Sequence, residues 1–528
     1  MQSRLRLQCL TTLVTTTGAN KIFYGILGGD LMILLSKRLR AICVFVFLLI
    51  PFSASATNGY FLIGFGAKSR GMGGVGVAYA QDGLAAAFNP AGMSDVDIRG
   101  AMRIDAGIEF FNPPRAVRQD SSVLESNFPG ATTGVNHESG SNEFLIPSMG
   151  MIYKFNRKIS MGFAAIGAGA NTRYNQTIPG NPTCVNNDTS MGNASTLFNV
   201  NCQADSPTAG VQLLQMQMLP SFSYKVNKNH AIGASLAIAV QQFRAYGLGA
   251  FDEGVFNFTA EKGKVSNNGN DYSYGAGVRI GWLGKFADKK LRIGANYASR
   301  VYMTEFDEYT SLFAEQGDFD IPEHFALGIS YKFTDKLTAA FDVQHILYSD
   351  IASVGNVGPS AADPADMNTN GTCAGVSDGV DPTNCKLGGD DGMGFGWHDA
   401  TAYKLGINYD YSDKWSVRAG WNYGKSPIQE EEVLFNMLAP ATVEHHLTLG
   451  ASYRPNKSME WSFNFTHAFS NTIKGPSAFG PTGDPAVDVL RAPGRRLCLP
   501  GGGRIQQPPP LRGRQPRAGS HRAERRGR

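Results

Sequence analysis

From Gly100 to Ser470 the chain alternates apolar and polar residues at every second position, in runs broken by turns. Between Tyr403 and Tyr411 the odd positions are Tyr403, Leu405, Ile407, Tyr409 and Tyr411, set against Lys404, Gly406, Asn408 and Asp410. Trp415, Val417, Ala419, Trp421 and Tyr423 alternate in the same way with Ser416, Arg418, Gly420 and Asn422. Phe325 to Phe333 and Trp461 to Thr466 repeat the pattern. A period of two predicts antiparallel strands with one apolar face. Thirteen runs are predicted, near 100–112, 143–155, 159–172, 211–226, 230–246, 271–286, 290–305, 321–333, 337–349, 398–411, 415–425, 442–454 and 459–470. A soluble β-sandwich would also alternate. These runs reach about ten residues and gather aromatics at their ends, which suits tilted strands crossing a bilayer between aromatic girdles. In lipid every backbone group must be paired internally, and a closed barrel does that.

The connections fall into two kinds. Short polar links recur at Asn156-Arg157-Lys158, Asn227-Lys228-Asn229, Asp288-Lys289-Lys290, Thr334-Asp335-Lys336, Ser412-Asp413-Lys414 and Asn456-Lys457. The others are long: 113–142, 174–210, 247–264, 306–320, 350–397 and 426–441. Short turns at one rim and long loops at the other is the outer-membrane arrangement, with the long loops outside the cell. Bacterial barrels of this kind have even strand numbers, so thirteen is one short. A fourteenth strand is expected after residues 471–488, closing the sheet onto the first. From Leu490 the text turns rich in Arg, Pro and Gly and stops alternating. Pro-rich text cannot join a hydrogen-bonded ladder. Residues 489–528 therefore read as a frameshifted, disordered tail, with the true last strand lost. The alternative is a basic arm for nucleic acid or surface polyanions. The prediction is an all-β fold: a transmembrane antiparallel 14-stranded β-barrel over residues 99–488, left with an open edge.

Charge and the N-terminus refine this picture. The whole chain carries +4, but residues 1–56 carry +5 and residues 491–528 carry +10, leaving −11 between them. The basic balance thus belongs to the ends and gives no support to a nucleic-acid partner. Lys37, Arg38 and Arg40, the apolar run Ala41–Phe52 and the small residues Ala54-Ser55-Ala56 form a signal peptide, too short for a membrane anchor. Residues 1–56 are read as that signal with a mis-called upstream extension, Met32 being the expected initiator. Cys184 and Cys202 share one long loop, and Cys373 and Cys385 another. In an oxidising compartment these are disulfide candidates, and neither loop has zinc-site spacing.

Residues 57–98 break the pattern. They are rich in Gly and Ala and lack strand alternation, as a plug preceding a barrel would be. Gly71-Met72-Gly73-Gly74-Val75-Gly76 satisfies G-x-G-x-x-G but lacks the βαβ surroundings of a dinucleotide site. Close backbone packing is the better reading of those glycines. In Asn89-Pro90-Ala91 the Asn side chain can bond the backbone two residues on, and Pro fixes the turn. His445-His446 point to opposite faces of a strand. No G-x-S-x-G elbow, nucleotide motif or ion-coupling motif is present, so no enzyme, metal or cofactor is expected. Arg279, Arg292, Lys332, Asp342, Lys404, Asp410 and Arg418 fall on the inner face, either as a mutually paired lumen or with one or two cations free for a carboxylate. Phe251, Val255, Phe256 and Phe258, then Tyr309, Leu312, Phe313 and Phe319, make apolar clusters in two outer loops, where something greasy would dock. Gly167-Ala168-Gly169-Ala170 weakens the third strand.

Asn58-Gly59-Tyr60-Phe61, Gly71-Met72-Gly73-Gly74 and Asn89-Pro90-Ala91-Gly92, in that order, resemble the N-terminal hatch of the FadL/TodX family of outer-membrane transporters for long-chain fatty acids and aromatic hydrocarbons. The resemblance continues more weakly to about Asp488. It implies a fourteen-stranded barrel plugged by the hatch, and capture of hydrophobic substrate by Phe251, Phe256, Phe258, Tyr309, Leu312 and Phe313. It further implies transfer to a pocket beside the hatch, and a lateral exit at a kink near Gly167 and Gly169. The expected protein is a monomer, placed in outer-membrane lipid by the barrel-insertion machinery. It would import long-chain fatty acids or, alternatively, aromatic hydrocarbons passively. A general porin or a surface adhesin is the reading from another class. A porin should lack an apolar plug and an adhesin needs only its loops.

Overall fold

The computed structural model describes residues 57–98, 100–120, 135–175, 208–252, 259–358, 384–476 and 487–491. The signal region, the tail beyond Arg491, Cys184, Cys202, Cys373, Phe256 and Phe258 lie outside the described residues. The wall is one antiparallel sheet in chain order. Its strands are β1 (Met102–Phe111), β2 (Phe144–Lys154), β3 (Ile159–Asn171), β4 (Thr208–Lys225), β5 (His230–Tyr246), β6 (Asp271–Phe286) and β7 (Leu291–Ala298). It continues through β8 (His324–Lys332), β9 (Leu337–Ile346), β10 (Ala400–Asp410), β11 (Trp415–Gly424), β12 (His445–Tyr453) and β13 (Trp461–Ala468). All thirteen predicted runs are present. The one expected over 290–305 breaks after Ala298, where the Ser299 hydroxyl takes the Val278 N–H at 3.0 Å, and resumes as Tyr302–Met303.

The alternation has the polarity of a membrane barrel. Ile104, Ile108, Leu405, Ile407, Trp461 and Phe463 face outward and are exposed, whereas Ser416, Arg418, Asn422 and Thr448 are buried within. Apolar side chains turned outward are stable only against lipid.

The closing strand is present only at its outer end. A short β14 (Val487–Arg491) pairs with Thr472–Pro476 on one side and Ala116–Asp120 on the other, segments that follow β13 and β1 in the chain. This corrects the disordered tail expected from residue 489: Val489, Leu490 and Arg491 are still in strand, a run too short to show alternation beside the Pro- and Arg-rich text that follows. Below this cap β13 and β1 share no ladder, and the sheet is not closed.

Inside the wall lie α1 (Gly66–Arg70) and two 3-10 turns, Gly83–Ala87 and Pro90–Ser94. Asp82 caps the first turn through Leu84 N at 3.0 Å, and Asn89 caps the second through Ala91 N at 3.0 Å. Such side-chain caps satisfy N–H groups that a short helix leaves free.

Candidate functional site

The glycines of this inner segment are there for contact. Gly73 has φ +70°, and a Cβ on it would lie 2.5 Å from Trp421 O. On the opposite wall a Cβ on Gly281 would lie 2.0 Å from Asn89 Oδ1. Asn89 Nδ2 donates to Val77 O and to Trp282 O of β6, each at 2.9 Å, so one side chain holds turn, hatch and wall together. Charges complete the seating. Asp342 Oδ2 of β9 accepts Gly76 N at 2.7 Å and Val77 N at 2.9 Å. Asp95 is clamped by Arg292 at 2.7 Å and by Lys285. Arg418 reaches Gln81 at 3.2 Å and Ser452 at 2.7 Å. Burial pushes the Lys68 ammonium pKa down, and Glu460 at 2.7 Å opposes that shift.

Two hollows flank the N-terminal strip of the hatch. The lower one has an empty volume of about 710 Å³ and is lined by Phe61, Phe65, Phe88, Arg279, Gln344 and Lys404, among others. The upper one has about 520 Å³ and is lined by Gly59, Tyr60, Pro113, Pro114, Trp397 and Ala441, among others. Asn58–Phe61 is the partition between them. Tyr348 OH donates to Asn58 O at 2.7 Å, and a Cβ on Gly59 (φ +67°) would meet that hydroxyl at 2.4 Å. The Tyr60 ring lies 5.6 Å from Tyr348 and 6.2 Å from Trp397, and burial raises its hydroxyl pKa well above the usual value.

Two polar groups of the lower hollow are under-used. Lys404 donates to Gln344 at 2.8 Å. Arg279, 3 % exposed, donates one guanidinium N–H to Ala87 O, its Nε has no partner, and it makes no ion pair with a described residue. His446 is buried against Asn422 at 3.1 Å while His445 stacks in the outer aromatic row with Tyr423, so the two histidines do occupy opposite faces.

Both hollows touch β3, the lower at Gly167 and Ala168, the upper at Gly169 and Ala170. There the wall has a window. β3 pairs with β4 through Asn171, but its pairing with β2 ends at Ile166↔Ser148. Pro147, next on β2, has no N–H to offer the ladder. Beside the gap, Ile146 Cγ2 is 3.3 Å and Pro147 O 3.9 Å from where a Cβ on Gly167 would sit. Gly169 differs, since a Cβ on it would press against Leu213 O at 2.2 Å.

The outer loops correct one expectation. Phe251, Tyr309, Leu312 and Phe313 form no exposed patch. They are 5 %, 0 %, 1 % and 2 % exposed, within one cluster that also takes in Tyr60, Phe319, Tyr348 and Trp397. The loops fold over the mouth, and aromatic surface turned inward gains more than aromatic surface left in water. The result is a lid. Within it Asp318 and Asp320 lie side by side. Burial, and then the Asp320 charge, push the Asp318 carboxyl up to about 8. Cys385 is disulfide-bonded. Among the described residues no three His, Cys, Asp or Glu side chains converge as a metal site would require.

Sequence reading singled out Asn89, the hatch glycines, Arg279 and Lys404, but not the clamps Asp95, Lys68, Arg70 and Glu460, nor Tyr348 and Trp397. Charges inside a small-residue segment were the signal for Lys68, Arg70 and Asp95, whereas Glu460 carried none.

The profile of the outer membrane protein transport protein family (OMPP1/FadL/TodX) matches residues 183–478. The toluene transporter TodX of P. putida is similar in structure at 15 % identity, over 81 % of this chain and 96 % of that one, with a TM-score of 0.53. A TodX deltaS2S3 mutant, a monoaromatic hydrocarbon channel, is similar at 16 % identity over 81 % and 97 %, also with a TM-score of 0.53. A Pseudomonas aeruginosa FadL homologue is similar at 15 % identity over 84 % and 96 %, with a TM-score of 0.48. No curated protein matches the sequence. With more than half of its length inside the family profile, this chain belongs to the OMPP1/FadL/TodX family of outer membrane transport proteins.

Proposed function

We propose that the protein imports hydrophobic compounds by passive diffusion, with long-chain fatty acids as its main substrate. Substrate enters through the aromatic lid, rests in the lower hollow beside the hatch and leaves through the window at Gly167 into the membrane. The observation that carries the fatty-acid reading is Arg279, a buried cation with no ion pair among the described residues, on a hollow that also presents Phe61, Leu62, Phe65 and Phe88. A carboxylate satisfies it while an aliphatic chain covers the apolar wall. A charge-assisted bond of this kind contributes ~1.5–3 kcal/mol. Arg279→Met is therefore expected to weaken palmitate binding by roughly tenfold or more, while toluene binding stays unchanged. Circular dichroism and heat-modifiable migration would confirm that the barrel is intact. Equal palmitate affinity for the folded variant and the parent would end the carboxylate reading. The rings of Phe61, Phe65 and Phe88 favour a second reading, an aromatic hydrocarbon held without charge. Saturable toluene binding with no palmitate competition would select it.

A further inference from the structure

The outer wall carries a groove apart from the proposed transport route. It crosses β4 to β8 on the lipid side and has an empty volume of about 1120 Å³. Its floor is formed by Ala234 and Ala295, small residues where neighbouring strands present large ones. Ala295 pairs between Trp282 and Leu327, and Ala234 between Phe222 and Ile280. Tyr224, Trp282, Tyr297 and Phe325 make much of its rim. The wall behind it is braced, because Pro90 and Asn89 press against Gly233 and Gly281 from inside. The dent therefore cannot relax inward.

The groove lies within about six residues of the short turns. At ~3.3 Å per residue and a tilt near 40°, those turns are about 10–15 Å from its floor. That rim is cationic where it borders the groove. Lys228, Lys289 and Lys290 are exposed, with Asp288 the one carboxylate among them. Lys285 turns inward to Asp95, and in the next turn Asp335 is taken by Lys332 at 2.9 Å, with Lys336 following. The turn that presents Lys289 and Lys290 is strained: Ala287, Asp288 and Lys289 have φ of 47°, 53° and 68°. Left-handed backbone at three successive residues other than glycine is unfavourable, and such outliers gather at functional positions.

We propose that this groove holds one anionic glycerophospholipid of the periplasmic leaflet, its acyl chain over Ala234 and Ala295 and its phosphate against Lys228, Lys289 and Lys290. An apolar trough at hydrocarbon depth above net positive turns is complementary to such a lipid. A zwitterionic lipid offers no net charge for the lysines.

The test uses the full chain in nanodiscs of phosphatidylcholine with or without phosphatidylglycerol, read by native mass spectrometry and thermal unfolding. One phosphatidylglycerol is expected to stay bound per chain at collision energies that strip phosphatidylcholine, and phosphatidylglycerol should raise the unfolding temperature. Replacing Lys228, Lys289 and Lys290 together by Gln should cut retention about tenfold, the loss of roughly one charge-assisted contact. Arg157→Gln with Lys158→Gln, a similar charge change at another short turn, should leave retention unchanged. Ala295→Leu fills the floor from the lipid side and should weaken retention of phosphatidylglycerol with the lysines intact. Equal retention of the two lipids, or equal loss from the Arg157/Lys158 variant, would overturn the proposal.

Discussion

Among the described residues the ladder between neighbouring strands is left open at two places, and the two are built differently. At the window between β2 and β3 the unpaired backbone is flanked by Gly167, Ala168 and Pro147, and no charge crosses it. At the seam between β13 and β1 charges do the bridging. Glu460 meets Lys68 at 2.7 Å, Arg103 at 3.1 Å and Arg454 at 3.1 Å, while Arg70 meets Glu109. Helix α1 packs behind that seam. An unpaired strand edge in lipid is costly, so each must be filled. Small apolar residues fill the window, as the proposed exit for a hydrophobic molecule requires. Buried ion pairs fill the seam and tie the hatch to the wall. The difference separates a gap lined by side chains from a charged suture.

The largest test of this contrast is at the seam. Glu460→Ala leaves Lys68 buried without its carboxylate, and breaking such a pair typically costs ~3–5 kcal/mol. The denaturant midpoint in micelles should fall accordingly, and Lys68→Met added to Glu460→Ala should recover part of the loss. An unchanged midpoint for Glu460→Ala would mean that the charges do not hold the seam.

A smaller effect is expected at the window. Gly167→Leu crowds Ile146, and overpacking of ~1–3 kcal/mol against the open form would slow passage about tenfold. Fatty-acid uptake should drop while the unfolding midpoint stays near that of the parent. Gly169→Leu is the informative companion, because its clash with Leu213 O should lower stability as well. If uptake through Gly167→Leu is normal, the window is not the exit.

The smallest effect concerns the lid. The Asp318 carboxyl is held up at about 8 by burial and then by Asp320, against ~3.9 for a free Asp. A carboxyl raised on folding stabilises fully below its unfolded value, and that contribution is lost as pH climbs toward 8. Asp318 is partly exposed, so solvent screening keeps the effect modest. Amides of residues 314–321 should lose protection between pH 6 and pH 9 beyond the intrinsic rate change. Asp318→Asn should flatten that dependence.

Much of the fold was written locally. Strand alternation follows from a period of two, and the Pro and Asn of Asn89-Pro90 set a turn within three residues, so both can be read along the chain. The hatch glycines could be recognised as packing glycines before their neighbours were known. The exposure of Tyr309, Leu312 and Phe313 could not be read that way. A loop aromatic is equally compatible with water-facing capture and with a buried lid, and only the loops packing on one another decide between them.

The sequence by itself determined an outward-apolar barrel, its thirteen long strands, its short and long rims and the small-residue segment inside, because each depends on neighbours a few positions apart. The tertiary structure alone decided where the ladder stops on β3, which cations are answered by Glu460 and Asp95, and that Arg279 meets no carboxylate among the described residues. Those outcomes depend on partners up to hundreds of residues away, such as Lys68 and Glu460, and a pairing between distant strands leaves no periodic trace in either.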